Sequence, residues 1–326
     1  MKYDFITIGG ATLDISFYTQ EGILLDNKKD LLRQKLLAFE YGAKIKIERT
    51  YYSFGGGASN TAVNFSRLGF KAAAFTCLGK DEQGTKIIEN FRKQGVGLKL
   101  IQSTKEEETG FSFIVIGPRN EHVVFSNRGA SNYLQVRDSD LIKLSKTKYL
   151  YLTSLSGEWA NLLEKIFNIE GPKVIWNPGH SQIVAGYKVI GKYLKKTHIL
   201  CVNKDEAIEL ILSIDKYKNK PKSFFQKLKN LLVALSECGP HLVIITSGYN
   251  GADCFDGTCF YHQDIIKEER KVDTTGVGDA FHSSFVAGLE IYNGDIEDAM
   301  YLGVRASASV ISERGAQNGL LKKDLL

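Results

Sequence analysis

The sequence predicts an α/β fold built on a mostly parallel sheet. From about residue 138 onward, short apolar runs typical of buried strands alternate with segments of helical spacing. The predicted strands there are Tyr149–Thr153, Lys173–Asn177, His198–Val202 and Leu242–Thr246. Such alternation covers both faces of a parallel sheet with helices. A length of 326 residues suits one large α/β domain or two small ones, and a hydrophobic content of 43% provides a core.

The first half of the chain predicts shorter strands and two glycine-rich turns. An apolar strand at residues 4–8 ends in Gly9-Gly10, and Gly55–Gly57 precede a helix at 61–68. The Leu- and Lys-rich segment between the strands 12–18 and 44–53 predicts a short helix or a mobile excursion. The other predicted elements are a strand at 71–78, a helix at 82–94, paired strands at 111–117 and 122–125, a hairpin at 252–262, and helices at 276–292 and 296–312.

Composition excludes several classes of function. The net charge of +5 is too small to predict a nucleic acid polymer as partner. The five cysteines are scattered without Cys-x-x-Cys spacing, which argues against a zinc ribbon and fits a reducing compartment. No apolar run reaches transmembrane length, and the first ten residues do not resemble a signal peptide. We therefore expect a cytoplasmic protein without a membrane partner.

The stretch Asp273–Phe281 concentrates residues suited to phosphate chemistry. It contains two glycines, two threonines and two aspartates, and a helix-length apolar run follows it. Glycines let the backbone approach a ligand, and a helix N-terminus offers unpaired N–H groups to an anion. A plain helix start would explain one aspartate but not the whole pattern. An anion cradle beside the carboxylate of Asp279 indicates phosphoryl transfer with a general base.

Other phosphate-binding signatures are absent from the sequence. The run Gly79–Lys86 has the spacing of a P-loop, but threonine stands before lysine. Gly276-Val277-Gly278 continues to Phe281 rather than to a third glycine, so the dinucleotide fingerprint fails. A nicotinamide-linked dehydrogenase is therefore disfavoured.

Two motifs identify a family resemblance that covers essentially the whole chain. Asp273–Phe281, Asp-Thr-Thr-Gly-Val-Gly-Asp-Ala-Phe, closely resembles the C-terminal signature of the ribokinase-like (PfkB) carbohydrate kinases, and Gly55–Asn60 resembles their N-terminal signature. The resemblance implies one kinase domain over residues 1–326, with a three-layer α/β/α core and a small β-sheet lid. The lid would come from segments near 12–20, 44–53, 98–104 and 111–126, and family members often dimerise through it.

The resemblance also assigns the chemistry and the acceptor site. Asp279 matches the catalytic base, and the backbone N–H groups of Gly276, Val277 and Gly278 match the anion hole. Asp14 matches the family's sugar-binding aspartate. A carboxylate suits this role, because it can accept two hydrogen bonds from a diol. The other matching acceptor residues are Gly56, Gly57 and Asn60. Gly57 stands where ribokinases proper carry lysine, which weakens a specific ribose assignment.

Further matches place the nucleotide and the metal ions. Asn203 and Glu206 match a motif that organises Mg²⁺ through water, although Asn with Glu three residues on is also a capping box. The residues that match the nucleotide site are Thr246, Gly248, Gly251, Thr274 and Gly315. Asp273 and Thr275 match ligands of a monovalent cation such as K⁺. Gly319 replaces a serine that ribokinases carry, which puts a K⁺ requirement in question.

We thus expect an ATP- and Mg²⁺-dependent kinase that phosphorylates a hydroxymethyl group of a sugar. A nucleoside kinase is the alternative enzyme, with Phe17, Phe113 and Phe125 available for a nucleobase pocket. A sugar-phosphate kinase is less favoured, because no basic cluster adjoins the sugar site. A non-catalytic sugar sensor on the same fold is a different class of function. Arg128 could reach an acidic group of the substrate or form an exposed ion pair.

Overall fold

Strands and helices alternate along most of the chain. The computed structural model describes residues 2–27, 35–117, 122–268 and 270–325. The strands are β1 Phe5–Ile8, β2 Thr12–Tyr18, β3 Ile23–Asp26, β4 Lys35–Ala38, β5 Arg49–Gly55, β6 Ala72–Gly79, β7 Ile101–Thr104, β8 Thr109–Ile116, β9 His122–Gly129, β10 Tyr149–Leu152, β11 Lys173–Trp176, β12 Ile199–Asn203, β13 Leu242–Thr246, β14 Ala252–Phe255 and β15 Phe260–Gln263. The helices are α1 Gly57–Arg67, α2 Glu82–Lys93, α3 Asp138–Leu144, α4 Trp159–Phe167, α5 His180–Ala185, α6 Tyr187–Leu194, α7 Lys204–Leu212, α8 Lys222–Phe225, α9 Leu228–Ser236, α10 Val277–Ile291 and α11 Ile296–Ile311.

A nine-stranded sheet forms the middle layer. Its strand order is β15-β14-β13-β12-β11-β10-β1-β6-β7. The strands from β13 to β7 run parallel, and β14 and β15 complete one edge as an antiparallel hairpin. The predicted parallel sheet and the predicted hairpin at 252–262 are therefore confirmed.

Helices cover both faces of this sheet. One apolar core lies between the sheet and the helices α3 to α9, and a second lies between the sheet and α1, α2, α10 and α11. Neighbouring residues of β1 enter different cores, with Ile6 in the first and Phe5 in the second. Burial on both faces explains why the central strands are continuous apolar runs. The predicted three-layer architecture is confirmed. In the described part of the chain, no helix is both long and apolar enough to span a bilayer.

A separate four-stranded sheet, here called the small sheet, lies beside this core. Its order is β5-β2-β8-β9, and only the β2–β8 pair is parallel. It contains most of the predicted lid segments at 12–20, 44–53 and 111–126, although its strand β5 begins only at Arg49. Residues 118–121, which come between β8 and β9 in the sequence, fall outside the described residues.

Two predictions for this region are wrong. The predicted lid segment 98–104 lies instead in the large sheet, where β7 pairs with β6. Leu100 is part of the first core and Gln102 is buried, so this segment is held by the main body. The segment between the first two small-sheet strands was predicted as a helix or mobile excursion. Residues 23–26 and 35–38 of this segment form the antiparallel strands β3 and β4, so the helix is not seen in its described residues. Residues 28–34 lie outside the described ranges.

The pairing register divides the small sheet into two faces. Asp14 lies opposite Ser53 and Ser112, so these short polar side chains share one face. Phe17, Phe113 and Phe125 lie on the other face, since each is an odd number of residues away in register. The outward rings are open to solvent, with Phe125 58% exposed. The three rings that the sequence offered for a nucleobase pocket therefore do not share the face that carries Asp14.

Gly276 fixes where α10 begins. It has a φ of 75°, in the left-handed region, and a Cβ there would lie 2.3 Å from Cβ of Ala316. A Cβ on Gly278, two residues on, would meet no other atom of the described chain within 4 Å. The first glycine is thus required by the fold, whereas the second is open on the side where a ligand would lie.

We expect Gly276→Ala to lower the free energy of unfolding by more than about 1 kcal/mol, because alanine is strained in this conformation and meets Ala316. Gly278→Ala is the matched control and should leave the urea unfolding curve nearly unchanged. Equal unfolding midpoints for the two variants would contradict this account.

Candidate active site

Helix α10 carries Asp279 in its first turn. Gly276 precedes the helix, and Gly278 is exposed to the adjoining cavity. The first N–H groups of a helix have no partner within the helix, and the dipole there is positive. The start of α10 therefore combines donors for an anion with a carboxylate.

A hydrogen bond joins this helix to α1. Nδ2 of Asn60 donates to Oδ2 of Asp279 at 2.8 Å, across 219 residues of sequence. One turn later on both helices, Nδ2 of Asn64 donates to the hydroxyls of Ser283 and Ser284 at 2.7 and 2.8 Å. The two helices are thus held in register by side chains that point into their contact.

Asp14 provides a second carboxylate near Asp279. Thr12 donates to its Oδ1 at 2.9 Å, and Ser112 also donates to it. Burial raises the pKa of Asp14, and the negative charges of Asp279 and Asp273 raise it further. Burial likewise raises the pKa of Asp279, while the hydrogen bond from Asn60 opposes that rise. The cleft therefore holds carboxyl groups that all favour taking up a proton or a hydrogen bond donor.

The glycine loop before α1 is shaped by its own neighbours. A Cβ on Gly55 would lie 1.9 Å from Oδ2 of Asp14, and one on Gly56, whose φ is 86°, would lie 2.5 Å from the carbonyl oxygen of Gly10. Gly57 abuts Thr153 in the same way. The sequence predicted that these glycines let the backbone come close to a ligand. In the structure they let the loop pack closely against Asp14, Gly10 and Thr153. It leaves Asp14 the space that a side chain would otherwise fill.

A cavity of about 740 Å³ adjoins the start of α10, a volume within the usual range for small-molecule sites. It opens at the carboxyl ends of β12 and β13, where ligands of parallel sheets bind. The predicted residues that line it are Asn203, Thr246, Gly248, Gly251, Thr274, Val277 and Gly278. Tyr249 and Lys271 also line it, and the Lys271 amine lies 4.6 Å from the centre of the Tyr249 ring. Sequence reasoning missed both, although Tyr249 directly follows Gly248 in the predicted loop.

Asn203 and Glu206 form the capping box at the start of α7. Oδ1 of Asn203 accepts from the Glu206 N–H, and Oε2 of Glu206 accepts from the Asn203 N–H, both at 2.9 Å. Burial raises the pKa of Glu206 to about 7, and the charges of Asp205 and Asp279 add to this. The structural reading of this motif is therefore correct. The same carboxylate lies in electrostatic range of Asp279.

Asp273 organises the loop before α10. Its Oδ1 accepts from the Thr275 N–H and its Oδ2 from the Gly315 N–H, both at 2.9 Å. The Thr275 hydroxyl is buried and has no hydrogen bond partner in the part of the chain that the structure describes. Gly315 thus supports the loop rather than lining the 740 Å³ cavity.

The small sheet contacts the surroundings of α10 at two places, one in the loop before α10 and one in the segment after α11. Nδ1 of His122 lies 2.8 Å from the Thr274 hydroxyl, and the guanidinium of Arg314 lies 4.1 Å from the centre of the Tyr51 ring. These contacts connect the face that carries Asp14 to the residues around α10. His122 and Ser112 are site residues that the sequence did not reveal, because strand register decides which way they point.

Arg128 lies on the same face of the small sheet as Asp14. It stands opposite Gly110 in the β8–β9 register, in the row next to Ser112 and Ser126. The side chain is half-buried, and burial lowers the pKa of its guanidinium. Within residues 2–27, 35–117, 122–268 and 270–325 it forms no ion pair. The predicted alternative of an exposed ion pair is therefore not seen.

Comparisons with known proteins agree with this architecture. A family model described as pfkB family carbohydrate kinase matches residues 30–323. Ribokinase of Haemophilus influenzae is 26% identical over 282 residues, which cover 82% of this chain and 84% of that protein.

Two solved structures share the fold at lower identity. Arabidopsis thaliana ribokinase complexed with ribose and ATP gives a TM-score of 0.77 at 19% identity, covering 99% of this chain and 97% of the other. Burkholderia thailandensis nucleoside kinase in complex with inosine gives a TM-score of 0.77 at 16% identity, covering 98% of this chain and 95% of the other. Since the family model spans most of the sequence, this chain belongs to the pfkB family of carbohydrate kinases, which are phosphotransferases with an alcohol group as acceptor.

Proposed function

We propose that this chain transfers the γ-phosphoryl group of ATP to a hydroxymethyl group of a sugar, with Asp279 as the general base. The observation that carries the proposal is the position of Asp279. It lies at the start of α10, between the cavity at the ends of β12 and β13 and the face of the small sheet that bears Asp14. A base so placed separates a nucleotide site from an acceptor site.

The chemistry follows from this geometry. The acceptor hydroxyl gives its proton to Asp279 as its oxygen attacks the γ-phosphorus, and ADP leaves on the opposite side. The N–H groups of Gly276, Val277 and Gly278 stabilise the charge that spreads over the transferring phosphoryl oxygens. Burial supports the role of Asp279, because a raised pKa makes a carboxylate a better proton acceptor. Asp14 and Asn60 orient the sugar hydroxyls.

The donor set fits a Mg²⁺ ion that is held mainly by phosphates and water. In the described ranges, no group of three or more His, Cys, Asp or Glu side chains is placed to hold a metal. Mg²⁺ commonly keeps several waters and takes only one or two carboxylates from a protein. Glu206 would hold it through water, and the ion would neutralise charge on the β- and γ-phosphates. For a monovalent cation such as K⁺, the candidate ligands are Asp273 and the Thr275 hydroxyl, which has no partner among the described residues.

Closure of the small sheet over the acceptor would exclude water and limit ATP hydrolysis. The contacts of His122 with Thr274 and of Arg314 with Tyr51 support this role as a lid. They connect strand β9 to the loop before α10 and strand β5 to the segment after α11.

A nucleoside kinase is the second candidate, supported by the shared fold of the inosine-bound nucleoside kinase. The three rings that could have lined a nucleobase pocket give this candidate no support, because they lie on the face of the small sheet away from Asp14. These rings are Phe17, Phe113 and Phe125. Arg128 instead supports an acceptor with an acidic group, because a half-buried guanidinium that forms no ion pair with the described residues favours a carboxylate or phosphate.

The deciding experiment is a coupled ADP-release assay over pentoses, hexoses, keto-deoxy sugar acids, sugar phosphates and nucleosides. We expect turnover with a sugar or a sugar acid. Turnover with nucleosides alone would establish the second candidate. Binding of a sugar, seen as a shift in melting temperature, without phosphate transfer would identify a sensor instead.

Replacing the base should abolish most turnover. We expect Asp279→Asn to lower kcat by about 10²- to 10⁴-fold, because the amide cannot accept the proton. ATP binding, measured by calorimetry, should survive. Asp298→Asn, the same change in the first turn of the neighbouring helix α11, is the control and should keep wild-type turnover. Near-normal kcat in Asp279→Asn would remove Asp279 from the mechanism.

Replacing the magnesium ligand should alter the metal requirement. We expect Glu206→Gln to need several-fold more Mg²⁺ for half-maximal activity, because the neutral amide attracts a hydrated cation less strongly. Glu297→Gln, which changes an exposed carboxylate in the first turn of α11, should titrate like the wild type. Superimposable Mg²⁺ titrations of Glu206→Gln and the wild type would exclude Glu206 from the site.

The outward face of the small sheet supports a homodimer. It presents exposed apolar side chains on adjacent strands, among them Tyr52, Phe113, Val123 and Phe125. We expect Phe125→Glu to shift the sedimentation profile from dimer towards monomer. Ile142→Glu, which changes an exposed apolar residue on α3, should not shift it. A wild-type protein that sediments as a monomer would refute the homodimer.

A further inference from the structure

A buried line of amide side chains connects helix α2 to Asp279. Nδ2 of Asn90 donates to Oε1 of Gln317 at 2.9 Å, and Nε2 of Gln317 donates to Oδ1 of Asn60 at 3.0 Å. Asn60 in turn donates to Asp279 at 2.8 Å. Gln317 also donates to the hydroxyl of Ser59 at 2.9 Å. We call the series Asn90, Gln317, Asn60 and Asp279 the amide relay.

The amide relay joins four parts of the chain. Asn90 lies on α2, Gln317 in the segment after α11, Asn60 on α1 and Asp279 on α10. The three amide residues are at most 8% exposed. Hydrogen bonds are stronger in such a setting, and a buried polar group without a partner is costly. Each amide is therefore held in the orientation that satisfies its neighbours.

The orientation of every amide follows from the carboxylate at its end. An ionised carboxylate only accepts hydrogen bonds, so Asn60 must turn its NH₂ group to Asp279. Its oxygen then faces Gln317, which must offer NH₂, and the oxygen of Gln317 must accept from Asn90. Reversing any one amide would bring two oxygens or two NH₂ groups together. Ser59 strengthens the arrangement, because its hydroxyl accepts a second hydrogen bond from the same NH₂ group of Gln317.

We propose that Gln317 is a positioning residue that holds the Asn60 amide with its NH₂ group towards Asp279. Gln317 acts through Asn60, since the NH₂ group of Asn60 is what contacts the carboxylate. The expected effect of Gln317 on turnover rests on the proposed role of Asp279 as the base. Its expected effect on the pKa of Asp279 does not depend on that role.

The surroundings of Asp279 make this hydrogen bond important. Three titratable side chains lie in electrostatic range, namely Asp14 on β2, Tyr151 on β10 and Glu206 on α7. The two carboxylates share the sign of Asp279, and burial also disfavours its charge. The hydrogen bond from Asn60 is what opposes these effects. If Gln317 no longer fixes Asn60, the carboxyl group should stay protonated to a higher pH.

The test is the titration of Asp279 in protein labelled with ¹³C at aspartate carboxyl groups, with Asp279→Asn used to assign its resonance. We expect Gln317→Leu to raise the titration midpoint by about one pH unit, as losing a hydrogen bond to a charged group should. Gln317→Met should raise it as much, because methionine has a similar length but no NH₂ group to donate to the Asn60 oxygen. Gln94→Leu is the matched control. Gln94 accepts from Arg67 nearby but lies outside the amide relay, so the midpoint should not move.

Turnover provides the second readout. In the Gln317 variants the acidic limb of the kcat–pH profile should move up by the same amount, with recovery towards wild-type kcat at alkaline pH and little change in KM for ATP. A uniform loss of kcat at all pH values would indicate a merely structural role and overturn the proposal. So would an unmoved Asp279 midpoint in Gln317→Leu, or an equal shift in Gln94→Leu.

The design separates this inference from the proposed function. If the wild type phosphorylates no acceptor, the kinase proposal fails, and the ¹³C titration still decides the role of Gln317. If Gln317→Leu does not fold, Gln317→Met has a length closer to that of glutamine and decides the question by the same measurement.

Discussion

The contact between helices α1 and α10 is the interaction on which the site depends. Two amides one turn apart on α1, Asn60 and Asn64, donate into α10, to Asp279 and to the Ser283–Ser284 pair. Because both helices are buried against the large sheet, these bonds are shielded from water and are stronger for it. The carboxylate at the start of α10 is thereby aimed by a helix from the opposite end of the sequence.

The same region concentrates carboxyl groups. Asp14, Glu206 and Asp279 all have pKa values raised by burial, and the charge of Asp279 raises the pKa values of Asp14 and Glu206 further. Groups of one sign in a cleft disfavour each other's ionised form. Such an arrangement is suited to partners that bring protons or positive charge, namely sugar hydroxyls on one side and a hydrated cation on the other. Structural stability alone would favour apolar side chains at these positions.

Several parts of this architecture could be predicted because their causes are local in sequence. Apolar runs predicted β10 to β13, since strands buried on both faces need apolar residues at every position. Gly276 marked the start of α10, because few other residues tolerate the left-handed conformation of the turn before it. Asp279 could be singled out for the same reason: a carboxylate within an anion cradle is unusual.

The sequence by itself therefore determined the fold class, the glycine-containing turn before α10 and the carboxylate beside it. Tertiary structure decided how distant parts meet. Register alone put Phe17 and Phe113 on the outward face and Asp14 on the inward one, because a shift of one residue reverses every side chain of a strand. Tertiary structure also decided that β7 joins the large sheet, since its pairing with β6 depends on the packing of the whole core. The amide relay is the clearest case, because Gln317 lies 257 residues from Asn60 and no local pattern could bring them together.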